Sequence, residues 1–218
     1  MALAALPPVP SSPSPSSFRP ASFRPASFRP VVLAGERVLP LAGPLGALFS
    51  GSGLRRGSVV TVEGEPGSGA TWLTLQLVAA ATAMGEWAAA VDLEGTLGGW
   101  AAAEQGVALE RFAVVRRVPP ARWTTVVAAL LDGVSLVLAE YPASSVRVGD
   151  ARRLIARARE RDAVLVIAGP WPAEAAVRVY ADGSTWRGLE QGAGRLIDRS
   201  LDVRVVGPGA PMRLALVG

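Results

Sequence analysis

The residues best suited to chemistry form one glycine-rich stretch, Gly64-Glu65-Pro66-Gly67-Ser68-Gly69-Ala70-Thr71. It follows a β-branched run at 59–62 and precedes an apolar run at 72–79, which gives the strand, loop and helix order of a phosphate-binding loop. Every fixed position of the template G-x-x-x-x-G-K-[ST] matches except one, because Ala70 stands where the lysine is expected. In degenerate form, the predicted phosphate contacts are Gly64, Gly67, Ser68, Gly69, Ala70 and Thr71.

The missing lysine weakens this predicted site. The loop amides and the helix N-terminus would still attract an anion, and Thr71 would still offer a hydroxyl to a magnesium ion. A charge-assisted hydrogen bond contributes roughly 1.5–3 kcal/mol, so nucleotide affinity should fall by about one to two decades. Stabilisation of the transition state should suffer more. No lysine elsewhere can substitute, since all 22 basic residues are arginine. We predict no turnover and no cofactor beyond weak binding of ATP and magnesium.

Composition excludes several other kinds of site. The chain has 218 residues and neither cysteine nor histidine, which rules out disulfides, thiolate or histidine zinc sites, and Ser-His catalysis. Its formal net charge of +4 is compatible with an acidic partner, DNA included. The length favours one domain with a tail.

Residues 1–30 are predicted to form a disordered tail rich in serine and proline. Residues 17–30 repeat the sequence Ser-Phe-Arg-Pro-Ala, and proline at every fifth position opposes regular helix and strand. The repeat is interpreted either as a multivalent binding motif or as a tandem duplication that a tail tolerates. Residues 31–218 are predicted to form a single domain. The start of the chain resembles no signal peptide and no apolar run is long enough to span a membrane, so a cytoplasmic location is expected.

The elements needed to position the loop alternate along the domain. Apolar strand patterns, among them 88–92, 112–116, 134–139 and 163–168, alternate with helical patterns such as 123–131 and 149–161. This order predicts an α/β fold with a mainly parallel sheet flanked by helices. Three alternating segments, 177–180, 201–206 and 212–217, predict a C-terminal antiparallel extension that ends in a hairpin. Residues 39–49 are interpreted as a short helix or an apolar lead-in.

These motifs give the chain a resemblance to RecA over roughly residues 40–206. The segments 57–64 and 71–81, with the loop between them, resemble the ATP-binding core of RecA-like P-loop proteins. By the same resemblance, Glu94 takes the position of the glutamate that activates water. Glu140 takes that of the magnesium-associated acid, where the family has aspartate. The chain is shorter than RecA, and no good counterparts of the DNA-binding loops are found.

A short, degenerate relative of RecA is most similar to the ImuA family, particularly its actinobacterial branch. That resemblance implies an accessory role in the DNA damage (SOS) response and in translesion, damage-induced mutagenesis. The implied partners are an ImuB-like, Y-family polymerase relative and an error-prone, replicative-type polymerase.

Contacts with a partner or with DNA are predicted at two places. One is the basic helical segment that contains Arg152, Arg153, Arg157 and Arg159. The alternative for these arginines is that they only form the solvent-exposed outer face of a helix. The other is the C-terminal segment 171–218, in which Trp171, Trp186 and Arg204 are candidate anchors, with core packing as the alternative for both tryptophans.

Three functions are consistent with the sequence. The first is a non-catalytic RecA-like scaffold that docks polymerase partners. The second is a nucleotide-gated or active DNA-dependent ATPase that uses Glu94 and Glu140, and the third is a basic DNA-binding accessory protein. Ala70 favours the scaffold, because it removes the cation on which turnover depends.

Overall fold

The computed structural model describes residues 38–142, 146–190, 193–207 and 212–217, which belong to one compact unit, Leu33–Gly218. The predicted tail, residues 1–30, lies outside the described residues. Within the described part, no helix is both long enough and apolar enough to cross a membrane.

The described residues form ten strands and five α-helices. The strands are β1 Val38–Pro40, β2 Gly53–Arg55, β3 Val59–Gly64, β4 Ala88–Asp92, β5 Phe112–Arg116, β6 Leu136–Glu140, β7 Val164–Ala168, β8 Val177–Glu190, β9 Ala193–Val206 and β10 Met212–Val217. The α-helices are α1 Gly43–Ala47, α2 Ala70–Ala83, α3 Gly99–Glu104, α4 Trp123–Gly133 and α5 Val148–Arg161.

Eight strands form one mixed sheet in the order β10-β9-β8-β3-β7-β6-β4-β5. All neighbours from β8 to β5 run parallel, whereas β9 pairs antiparallel with both β8 and β10. The coarse prediction of an α/β fold with a mainly parallel sheet is therefore confirmed, and the C-terminal strands are antiparallel as expected.

Helices cover both faces of this sheet. Helices α2 and α3 contribute to a core on one face, and α4 and α5 contribute to a second core on the other. Strands β6 and β7 are nearly continuous apolar runs because both of their faces are buried. Helix α5 is amphipathic, with Leu154 and Ala158 buried against the sheet and its arginines outside.

The segment before β3 differs from its predicted form. Instead of one helix over 39–49, β1 and β2 form a small antiparallel sheet around the one-turn helix α1. Two glycines allow this close packing: a Cβ on Gly46 would lie 2.3 Å from the Leu41 carbonyl oxygen, and one on Gly53 would lie 2.3 Å from that of Leu39. The apolar residues of this segment pack into the same core as α2, which agrees with the alternative of an apolar lead-in.

Strands β8 and β9 are each 14 residues long and form a hairpin that exceeds the predicted strands. The predicted strands 177–180 and 201–206 correspond only to the half of the hairpin that lies nearest β3. The other half lacks apolar alternation, and antiparallel pairing with bulges at 181–183 and 187–189 holds it together. An ion pair between Arg187 and Asp198 links the two strands there.

Candidate functional site

The carboxyl ends of β3, β4, β6 and β7 open onto one cavity of about 340 Å³. Parallel strands place these ends at the same edge of the sheet, which is where open α/β sheets form their ligand sites. The first turn of α2 provides a further wall, with Ala70, Thr71 and Thr74. Of the predicted site residues, Gly64, Ala70 and Thr71 line this cavity with Glu94 and Glu140. Gly67, Ser68 and Gly69 are not among its lining residues.

The loop over residues 64–69 has the predicted strand–loop–helix setting. Gly67 and Gly69 have φ values of 84° and 103°, which only glycine adopts without strain. The Ser68 amide donates to the Glu65 carbonyl over 2.9 Å, and Gly69 is the N-cap of α2. The N-cap Gly69 has no side chain to cap this helix, and the amide of Ala70 donates weakly to Ser68 Oγ over 3.4 Å.

The β8–β9 hairpin holds this loop from outside the cavity. Both Ser184 Oγ and Arg199 Nη2 donate to the carbonyl oxygen of Gly67, over 2.9 and 3.1 Å. The side chain of Leu201 fills the space beside Gly69, since a Cβ there would lie 1.8 Å from Leu201 Cδ2. Sequence reasoning missed all three hairpin residues, because they follow the loop by more than a hundred positions and belong to no motif.

The cavity carries negative charge where the template would place a cation. Ala70 is half-buried in its wall, and the charged residues of the lining are Asp92, Glu94 and Glu140. Among the described residues that line the cavity, none is an arginine. In the part of the chain that the structure covers, no group of three or more acidic side chains is arranged to hold a metal ion.

The carboxylate of Glu140 accepts two backbone hydrogen bonds across the cavity. Leu93 N–H donates to Oε2 over 2.6 Å and Glu94 N–H donates to the same oxygen over 3.3 Å. Burial raises the pKa of this carboxyl, the charges of Asp92 and Glu94 raise it further, and the two amide bonds lower it. The net effect is a raised pKa for Glu140. The two hydrogen bonds tie β6 to the segment after β4, and burial of the carboxylate opposes its ionisation.

Asp92 also holds the segment after β4 in place through hydrogen bonds. It is 1% exposed, and its carboxylate accepts from the amides of Thr96 and Leu97 over 3.0 and 3.2 Å. Arg116 Nε of the neighbouring strand donates to it over 2.9 Å, while Arg116 Nη2 donates to the Leu97 carbonyl. The sequence interpretation gave Asp92 no role. Its position at the end of β4, close to Glu94, could have identified it as a candidate site residue.

Glu94 lies at the rim, exposed, and lines the cavity. The side chain of Thr71 is also exposed, at the start of α2. Thr71, Glu94 and Glu140 line the same cavity, and one of the two carboxylate oxygens of Glu140, Oε2, is bonded to backbone amides.

The arginines of α5 are largely paired with acids. Arg153 contacts Asp150, and Arg157 forms a two-bond contact with Asp132 over 2.6 Å for each bond. The predicted contact residues Arg152 and Arg159 are exposed on the same helix. The helix thus has the solvated outer face that was the alternative interpretation, with two arginines left outside its ion pairs.

The C-terminal candidates divide into one buried and two surface residues. Trp171 is 5% exposed and packs edge-on against Tyr141, so the prediction that it anchors a partner is wrong. Its Pro- and Gly-rich surroundings suggested exposure, but the segment after β7 folds back onto the core. Trp186 is 50% exposed with Arg199 stacked over its ring, and Arg204 pairs with Asp182.

Comparison with known proteins identifies a family that covers the cavity-forming part of the chain. The model of the MT3502 N-terminal domain matches residues 47–173, which is more than half of the chain. An uncharacterized protein, Rv3395c, of Mycobacterium tuberculosis (strain ATCC 25618 / H37Rv) is 38% identical over 105 residues, 48% of this chain. The chain spans about half the length of this curated relative. The matched region contains the loop, Glu94 and Glu140 but ends before β8. On this match, the chain belongs to the MT3502 N-terminal domain family.

Proposed function

We propose that this protein is a non-catalytic, RecA-like accessory protein of the ImuA type. It acts in DNA-damage-induced mutagenesis by docking an ImuB-like polymerase relative, together with an error-prone replicative-type polymerase. A cytoplasmic location is part of the same proposal. The support for the RecA-like core is that a strand–loop–helix unit and two acids meet at one cavity, in the order that the sequence resemblance implies.

One observation carries the non-catalytic part of the proposal. The carboxylate of Glu140, which stands where the magnesium-associated acid belongs, is bonded to the amides of Leu93 and Glu94. It serves as a brace between β6 and the segment after β4. A metal bound at Oε2 would compete with the 2.6 Å hydrogen bond from Leu93, at a cost of roughly 1–3 kcal/mol for the unsatisfied amide, whereas one bound at Oε1 would leave that bond in place.

The residues present do not fit ATP with magnesium. A triphosphate needs cations around its β- and γ-phosphates, and the described lining offers Ala70 together with three acids. Negative charge on the cavity wall repels the phosphates that the loop amides would attract. A scaffold needs only the folded core, and the brace and the hairpin contacts stabilise that core without a ligand.

Purified protein tests the catalytic half of this proposal. We expect no ATP hydrolysis above background, with or without single-stranded DNA. Turnover that single-stranded DNA stimulates, that Glu94→Gln abolishes and that Glu110→Gln leaves intact would contradict the proposal and favour the ATPase alternative. Glu110 is a suitable control, because it is an exposed glutamate outside the cavity lining.

Titration calorimetry tests the docking half. With a purified ImuB-like polymerase relative from the same organism, we expect saturable binding that ATP and magnesium do not change. Absence of binding, or binding that requires ATP, would count against a passive scaffold.

A further inference from the structure

Strand β5 leaves one edge of the sheet open in the described part of the chain. It pairs only with β4, and its outer side has no neighbouring strand. Residues 112–115 are Phe-Ala-Val-Val, and both Ala113 and Val114 are exposed. Protein edges are usually protected by charges, proline or a covering element, because an open edge pairs with other chains. This edge has no charged side chain before Arg116.

Exposed apolar side chains are frequent in the part of the chain that contains β5. The described residues include eight exposed large apolar side chains, of which five lie between residues 84 and 114. These five are Met84, Trp87, Trp100, Leu109 and Val114. Trp100 is 80% exposed, and a hydrogen bond of 2.8 Å from Arg111 to the Gly85 carbonyl holds the turn after α2 beside the start of β5. Contiguous exposed apolar surface marks an interaction site, and Val114 supplies such surface on β5 itself.

The carboxyl end of β5 is cationic. Residues 100–122 contain four arginines and two glutamates. Arg116 is bound to Asp92, but Arg117 and Arg122 are exposed and form no ion pair with any described residue. These two arginines would attract carboxylate groups of a partner.

We propose that the β5 edge, defined as Phe112–Arg116 with Arg117 and Arg122 at its cationic end, binds an extended segment of a partner protein. The segment adds as a strand, places apolar side chains over Val114, and carries acidic side chains at the end next to Arg117. The inference rests on the proposed scaffold function, because it describes how such a scaffold holds its partner.

A second copy of this chain fits the edge less well. Antiparallel pairing of two β5 strands about Val114 would set Arg117 of each copy opposite Arg111 of the other. Like charges directly opposite one another destabilise a strand pair. An acidic partner strand removes this repulsion and pairs with Arg117.

Synthetic peptides supply the probe. We use a fluorescein-labelled peptide, Asp-Asp-Val-Thr-Val-Thr-Val, and a matched peptide with Arg-Arg in place of Asp-Asp. By fluorescence anisotropy, we expect the acidic peptide to bind at least about tenfold more tightly, with a preference that shrinks between about 50 and 300 mM salt. Hydrogen exchange at the amides of residues 112–116 should slow when the acidic peptide is bound.

Variants locate the binding. Val114→Lys and Arg117→Glu should each weaken binding of the acidic peptide by about tenfold or more. Val148→Lys and Arg55→Glu are the matched controls and should leave binding unchanged, since Val148 is similarly exposed (44% against 38% for Val114) but lies on α5, and Arg55 is an exposed arginine on β2.

Three results would overturn the inference. They are equal binding of the two peptides, equal effects of the edge and control variants, and self-association of the wild-type protein that Val114→Lys abolishes, which would assign the edge to a second copy. The proposed function fails separately, since ATP turnover would contradict it without changing any peptide result.

Discussion

Glu140→Gln keeps an oxygen acceptor for the amide of Leu93 but removes the negative charge from the cavity. In the wild-type protein, burial and the charges of Asp92 and Glu94 raise the pKa of Glu140 despite its two amide bonds. The folded state therefore binds the Glu140 proton more tightly than the unfolded state does. Ionisation of Glu140 consequently lowers the free energy of unfolding as pH rises from the unfolded pKa through the folded one.

The magnitude follows from the contacts. Glu140→Ala removes the acceptor of the Leu93 amide, which is partly buried, and should cost about 1–3 kcal/mol. The Glu94 amide is exposed and can bond to water, so its loss adds little. Glu140→Gln retains an acceptor and loses the charge penalty, so at pH 7 it should be within about 1 kcal/mol of wild type or more stable.

Urea unfolding of the wild type and both variants between pH 4 and pH 7 measures these effects. The stability of Glu140→Gln relative to wild type should increase as pH rises, because only the wild type acquires the buried charge. A loss of several kcal/mol in Glu140→Gln at pH 7, or a relative stability that falls with pH, would show that the charge stabilises the fold and would contradict the raised pKa of Glu140, whereas a negligible loss in Glu140→Ala would refute the structural brace. Magnesium-dependent stabilisation of the wild type alone would refute it as well.

The loop and its support give two further predictions, both measured by urea unfolding. Gly69→Ala should destabilise by about 2–4 kcal/mol, because its Cβ would overlap Leu201 at a positive φ, whereas Gly67→Ala meets no atom within 4 Å and should cost only about 1 kcal/mol. Equal losses in the two variants would show that Leu201 does not press on the loop. Asp92→Ala should cost about 1–3 kcal/mol, since it removes the buried acceptor of two amides and Arg116, although the half-exposed Arg116 can then bond to water. A loss below about 1 kcal/mol would mean that the segment after β4 does not depend on this carboxylate.

The sequence predicted the helix-flanked part of the sheet well because its signals are local. Strands 88–92 and 112–116 have the bounds that their apolar runs gave, and Gly85 and Gly106 follow the ends of α2 and α3. The convergence of the loop, Glu94 and Glu140 on one cavity was also predictable, since parallel strands end at a common edge.

The remaining features depend on contacts between distant residues. The outer half of the β8–β9 hairpin lacks the alternation of apolar and polar residues by which a strand is recognised in sequence. Strand pairing and ion pairs such as Arg187–Asp198 stabilise it instead. Trp171 is buried because the chain turns back after β7, which its neighbouring prolines did not indicate. No local pattern shows that the Glu140 carboxylate is bonded to the amide of Leu93, 47 residues away.

The two hydrogen bonds on the Gly67 carbonyl also determine when the loop can take its final shape. Their donors, Ser184 and Arg199, follow Gly67 by 117 and 132 residues. Contacts that close such long stretches of chain form late, because their loop-closure entropy must be offset by structure already present. During synthesis, the glycine-rich loop is therefore made early but takes its final shape only after β8 and β9 have been made. We expect a chain that stops at residue 173, where the family match ends, to leave its central loop without these two restraints.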